Sequence, residues 1–181
     1  MRHLVAVVGM LTACSPHGAL PKRPEDPQVD AAITAMWTHD IAEVAHDGDW
    51  ILTQSYLVAD GDLSHASIYD AKAGTIIEAV DAGIHELPLA QLVERNAYVI
   101  VVHPTGMTDA QRSESVARAR TKLGHPFDTG VDHQDTFYCS ELVYWAAQTE
   151  ARAGRRDKLL TPSDLMTYGE VVYWSGKRED Q

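Results

Sequence analysis

The sequence predicts an α+β domain built on an antiparallel sheet, and three observations carry that expectation. Short β-rich runs stand at 50–52, 65–69, 75–80 and 98–102, with a loop signal at 60–62 and hairpin-turn chemistry at 70–74. Helical patterns precede and follow them, giving the order helix, strands, helix, helix, strand. The chain has 181 residues, 45% of them hydrophobic, which is enough for one domain with a core that needs no disulfide.

The elements follow in order. Ile33, Met36, Trp37, Ile41 and Val44 recur at helical spacing, with Asp30 in N-cap position, and Gly48-Asp49 closes this segment. Trp50-Ile51-Leu52 begins a strand, and Asp60-Gly61-Asp62 is a loop signal. His65–Tyr69 and Thr75–Val80 flank Asp70–Gly74, whose composition is that of a hairpin turn. Tyr98–Val102 reads as a buried strand stopped by Pro104. Thr108 with Gln111 forms a capping box for a helix to about Leu123, ended by Gly124-His125-Pro126. A loop rich in Asp and Gly leads to Cys139 and a helix to about Arg152. Thr161-Pro162 opens a short helix, and Glu170–Trp174 adds a last strand.

The N-terminus reads as an export signal over residues 1–13. Arg2 supplies the positive charge, Leu4 to Leu11 a short apolar run, and Ala13 the small residue before cleavage. The run is too short to span a bilayer. Leu11-Thr12-Ala13-Cys14 resembles the bacterial lipoprotein box, which implies acylation of Cys14 and a membrane anchor. Residues 14–29, holding Pro16, Pro21, Pro24 and Pro27, then form a flexible tether. The folded domain is expected over 30–176, with a polar tail over 177–181. The net charge is −11, and loss of Arg2 with the leader takes it to −12. That surface excludes nucleic acid as a partner, because phosphate binding needs clustered Lys and Arg.

If lipid consumes Cys14, Cys139 is left as a lone thiol in an exported protein, where cysteines are usually paired. Its place where a loop enters a helix favours the thiolate and supplies backbone N–H groups for an oxyanion. His65, in a strand of small and apolar residues, is the best placed base among nine histidines. Glu78 can orient that imidazole if its strand pairs with that of His65. A five-residue loop centred on Lys72 would set His65 opposite Ala79, one position from Glu78; a bulge or a four-residue loop would change this. Each residue has a plainer reading: a buried small thiol, a structural histidine, the solvated face of an edge strand. Tyr138 and Asp135 are weaker candidates for shaping the cleft, and Asp135 or Thr136 is a candidate cap for the Cys139 helix. His125, His133, Asp128, Asp132 and Asp135 lack metal-ligand spacing, so neither metal nor cofactor is expected.

Gly48-Asp49-Trp50-Ile51, Ser64-His65-Ala66-Ser67-Ile68-Tyr69, Ile77-Glu78-Ala79 and Tyr138-Cys139-Ser140-Glu141-Leu142-Val143 together resemble the permuted papain-fold hydrolases of the YiiX/YaeF-like group, relatives of the NlpC-type cysteine peptidases. Pro126-Phe127-Asp128 and Thr161-Pro162-Ser163-Asp164-Leu165 resemble the group's flanking segments, so the likeness covers roughly 45–175. It implies a circularly permuted papain-like fold, with a barrel-like antiparallel sheet of up to six strands packed against the Cys139 helix. It also implies Cys139 as nucleophile, His65 as general base and Glu78 as the residue that orients it.

The expectation is a lipid-anchored cysteine amidase of the bacterial cell envelope, on the periplasmic face of the outer membrane. Its expected substrate is a peptidoglycan stem peptide or another amide. Two alternatives stay open: a lipid ester hydrolase or acyltransferase of the lecithin:retinol acyltransferase type, and a non-catalytic binding lipoprotein.

Overall fold

Asp26, not Asp30, starts the first helix: its carboxylate accepts the Gln28 N–H, and Pro27 fills the first helical position. The computed structural model of the protein describes residues 20–57, 63–129, 136–149 and 159–178. Cys14 and the leader lie outside them, as do Asp132, His133 and Asp135. Helix α1 spans Pro27–Val44 and turns Ile33, Trp37 and Ile41 inward, leaving Met36 and Val44 exposed. The expected tether is therefore helical from residue 27. Its preceding part is docked as well: Pro21 is buried, and Arg23 donates to the Glu94 carbonyl and lies over the Tyr56 ring.

Six strands follow: β1 Trp50–Ser55, β2 His65–Asp70, β3 Thr75–Val80, β4 Gly83–Pro88, β5 Asn96–Pro104 and β6 Gly169–Trp174. They form one antiparallel sheet in the order β4-β3-β2-β1-β5-β6. Short helix α2, Leu89–Glu94, links β4 to β5. Helices α3, Asp109–Arg120, and α4, Cys139–Ala146, precede the turn-long α5, Pro162–Leu165. The expected capping box of Thr108 with Gln111 is formed, and Thr161 forms a second one with Asp164. Helix α4 stops short of the expected Arg152, where Gln148 turns to a φ of 52°.

Strand alternation divides the core between the two faces of the sheet. Trp50, Leu52, Ala66, Ile68, Ile77 and Ala79 pack on the side of α3 and α4. Ile51, Tyr69, Ile76, Val99 and Val101 pack on the side of α1 and α2. Arg178, expected in a polar tail, is only 1% exposed and closes this second layer. Its guanidinium donates to the carbonyls of Asp30, Asn96 and Val93 and to Thr34 Oγ1, and it lies 4.6 Å from the centre of the Trp37 ring. At the α1–β1 turn Gly48 has a φ of 79°, and a Cβ there would collide with the Arg112 carbonyl, so α3 can approach only a glycine.

Candidate active site

The β2–β3 hairpin turn contains four residues between Asp70 and Thr75, which pair directly. That sets Glu78 opposite Ser67. His65 lies two residues before Ser67, so His65 and Glu78 share one face of the sheet. The five-residue loop considered from sequence, with His65 opposite Ala79, is replaced by this tighter turn. From its diagonal position Glu78 Oε2 lies 2.6 Å from His65 Nε2. An ionised carboxylate only accepts, so Nε2–H donates and Nδ1 is the nitrogen left for the thiol.

Cys139 reaches the same point from the other layer. It is the first residue of α4, which packs on β2 and β3. The β2–β3 ladder ends at Ser67 and Glu78, and beyond it the Cys139 sulfur meets the His65 ring and the Ala66 backbone N–H. Ser140 Oγ is 3.7 Å from the sulfur. The N-cap of α4, Tyr138, makes no side-chain capping bond, and Thr136 Oγ1, one of the two caps expected, has no hydrogen-bond partner; Asp135, the other, lies outside the described residues. The first-turn N–H groups and the helix dipole bear on Cys139.

The electrostatics agree with an ion pair. Burial pushes the thiol up, but the hydrogen bond and charge of His65 outweigh it and hold Cys139 below the ordinary thiol value. Burial disfavours a charged imidazole, yet the Cys139 and Glu78 partners raise His65 to about 9. Glu78 is fully enclosed, which would raise a carboxyl, but His65 and Arg95 lower it to about 2. Such a site can hold a thiolate and an imidazolium at neutral pH.

Two partners of Glu78 have no counterpart in the sequence reading. His85 is paired directly with Glu78 across β3–β4, and its Nε2 lies 2.9 Å from Oε1. Arg95, following α2, forms an ion pair with Oε2. The signal for His85 was the β3–β4 register, hidden because Gly83–Pro88 mixes polar and apolar residues without clean alternation. Tyr138, the weaker cleft candidate, is buried, and its hydroxyl accepts the Leu160 N–H. Asp135, like Cys14, lies outside the described residues.

A cleft of about 1030 Å³ opens over Cys139 and His65. Arg23, Asp81 and Arg95 bring charge to it, while Tyr56, Leu57 and Phe127 bring apolar surface. Pro21 and Arg23 make the segment before α1 one of its walls.

These features agree with what known proteins show. Residues 44–163 match the family model described as permuted papain-like amidase enzyme, YaeF/YiiX, C92 family. The crystal structure of YiiX from Escherichia coli O157:H7, described as a metalloprotein, is similar in fold, with a TM-score of 0.54. The likeness covers 73% of this chain and 97% of YiiX at 19% identity. No curated protein sequence matches the chain. The His-before-Cys order, the mixed fold with its antiparallel sheet and the matched two thirds of the sequence converge: the chain belongs to the permuted papain-like amidases of the YaeF/YiiX family, a family of cysteine peptidases and amidases.

Proposed function

We propose that Cys139 is the nucleophile of this hydrolase, His65 its acid and base, and Glu78 the residue that orients the imidazole. The observation that carries the assignment is the relay from Cys139 through His65 to Glu78, with the carboxylate 2.6 Å from Nε2. The thiolate attacks an amide carbonyl carbon, and the oxyanion forms beside the first-turn N–H groups of α4. His65 gives its proton to the departing amine as the C–N bond breaks, leaving a thioester. A water then loses a proton to His65, attacks the thioester and releases the acid, restoring the thiolate–imidazolium pair.

The substrate we propose is a peptide of the cell wall, and the anchor an acyl group on Cys14 at the periplasmic face of the outer membrane. The lipoprotein box and the cleft support this reading. Arg23, Arg95 and Asp81 suit a peptide carrying both charges, as a stem peptide does. Among the described residues no helix is long and apolar enough to cross a membrane. A lipid ester is the second reading. It is favoured by Leu57, 87% exposed at the cleft, and by a cleft wall that begins seven positions after Cys14.

The test is alkylation of Cys139 by iodoacetamide across pH, in the chain with Cys14→Ser and with or without His65→Ala. Fast labelling near pH 6, well below the ~8.5 of a free thiol, and at least tenfold slower in the variant, is the expected outcome. Slow labelling indifferent to His65 would remove Cys139 as nucleophile. Mass spectrometry of stem peptides and of phospholipid vesicles treated with the active protein then separates amide from ester cleavage.

A further inference from the structure

A second cluster lies at the end of the sheet where the α1–β1 turn meets the end of β5, apart from Cys139. Asp49 is fully enclosed, and its carboxylate stands between two imidazoles. His103 Nδ1 is 2.9 Å from Asp49 Oδ1, and His46 Nδ1 is 3.9 Å from Asp49 Oδ2. One ligand atom from each of the three residues can be chosen so that all lie within 4.8 Å of one another. The two rings meet edge to face, 5.9 Å between centroids.

We infer that His46, Asp49 and His103 form a binding site for a divalent transition-metal ion of the zinc type, with the fourth position open to water. Three facts carry the inference. The first is the donor set, two imidazoles and one carboxylate, which suits zinc and its neighbours and not magnesium or calcium. The second is that Asp49 Oδ1 has no hydrogen-bond partner although it is sealed from solvent and His103 Nδ1 is near: the donor is close but misaligned. Two atoms bound to one zinc at its usual bond lengths stand about 3 to 3.5 Å apart, so this spacing is near that of co-ligands. The third is the rigidity of the frame. Asp49 Oδ2 accepts the His46 N–H, and the Gly48 and Tyr69 amides donate to the Tyr69 and Asp49 carbonyls, so the carboxylate cannot swing away.

Arg112 limits the affinity. Its Nε lies 4.0 Å from Asp49 Oδ1, while its terminal nitrogens are held by the Met107 carbonyl and by Asp109. A guanidinium behind the carboxylate opposes a second cation in front of it, and Asp47 and Asp109 only partly offset that charge. Binding on the order of micromolar is expected, weaker than at closed structural zinc sites. His46, its side chain 70% exposed, and His103, 29% exposed, leave the ion an entry path.

The test is zinc titration by calorimetry, with cobalt absorption as a second readout, on the full chain carrying Cys14→Ser and Cys139→Ala so that no thiol competes. One zinc per chain and the visible bands of tetrahedral cobalt are expected. His46→Ala and His103→Ala, each checked for folding by circular dichroism, should weaken binding at least tenfold. No binding at 100 μM zinc would overturn the site. So would binding that survives both substitutions, the result if zinc instead occupied His65, His85 and Glu78.

Discussion

Glu78 stands opposite Ser67, not opposite His65, and from that diagonal position its Oε2 lies 2.6 Å from His65 Nε2. The carboxylate is fully buried and shared with His85 and Arg95. A buried charge is tolerable only when paired, and here three basic side chains surround it. Glu78 thus accepts from the imidazole of His65 and also draws His85 of β4 and Arg95, at the end of α2, around the site.

Glu78→Gln keeps the shape and removes the charge. Activity should fall on the order of 10²-fold, as when an orienting partner is lost. The alkaline limb of kcat/KM should also move to lower pH, because one of the groups that raise His65 is gone. Arg95→Gln should cost less, up to about tenfold, since this side chain is 43% exposed and partly screened. An unchanged pH profile in Glu78→Gln would show that Glu78 does not act through His65.

Stability should fall at both ends of the pH range. Glu78 is lowered from 4.5 to about 2, so its contribution is complete above 4.5 and lost as pH drops toward 2. His65 is raised from 6.5 to about 9, so its contribution is complete below 6.5 and lost as pH rises through 9. Urea denaturation from pH 2 to 10 should therefore show greatest stability between about 4.5 and 6.5 from these two groups. His65→Ala should flatten the alkaline decline; an unaltered slope would refute the pairing.

Arg178 should matter to the fold and not to the chemistry. Arg178→Ala removes the cation from Trp37 and strands the Asn96 and Val93 carbonyls it serves. A cost of about 3 to 5 kcal/mol is expected, which is roughly 10 °C in Tm for a chain of this size. Differential scanning calorimetry checks it, and a shift under 2 °C would contradict the clamp.

Much of this molecule was legible without coordinates. The α+β class, the hairpin, strand β5, the Thr108–Gln111 capping box and the Thr161-Pro162 helix start rest on local patterns: alternation, turn composition, capping residues. Such signals survive because the physics behind them acts over a few residues. What failed was also local in cause. Asp26 and Pro27 outcompete Asp30 as a helix start, since a proline is tolerated at the first helical position. Helix α2 is too short for its period to show, and β4 lacks alternation. Only the tertiary structure decided which residues meet. A four-residue turn instead of five put Glu78 on the face of His65. The end of the β2–β3 ladder gave Cys139 its place beside that imidazole. Packing of the chain ends brought Arg178 onto Trp37 and the segment of Pro21 and Arg23 onto the cleft. Register and layer packing are set by contacts between residues far apart in the chain, and a linear pattern does not carry them.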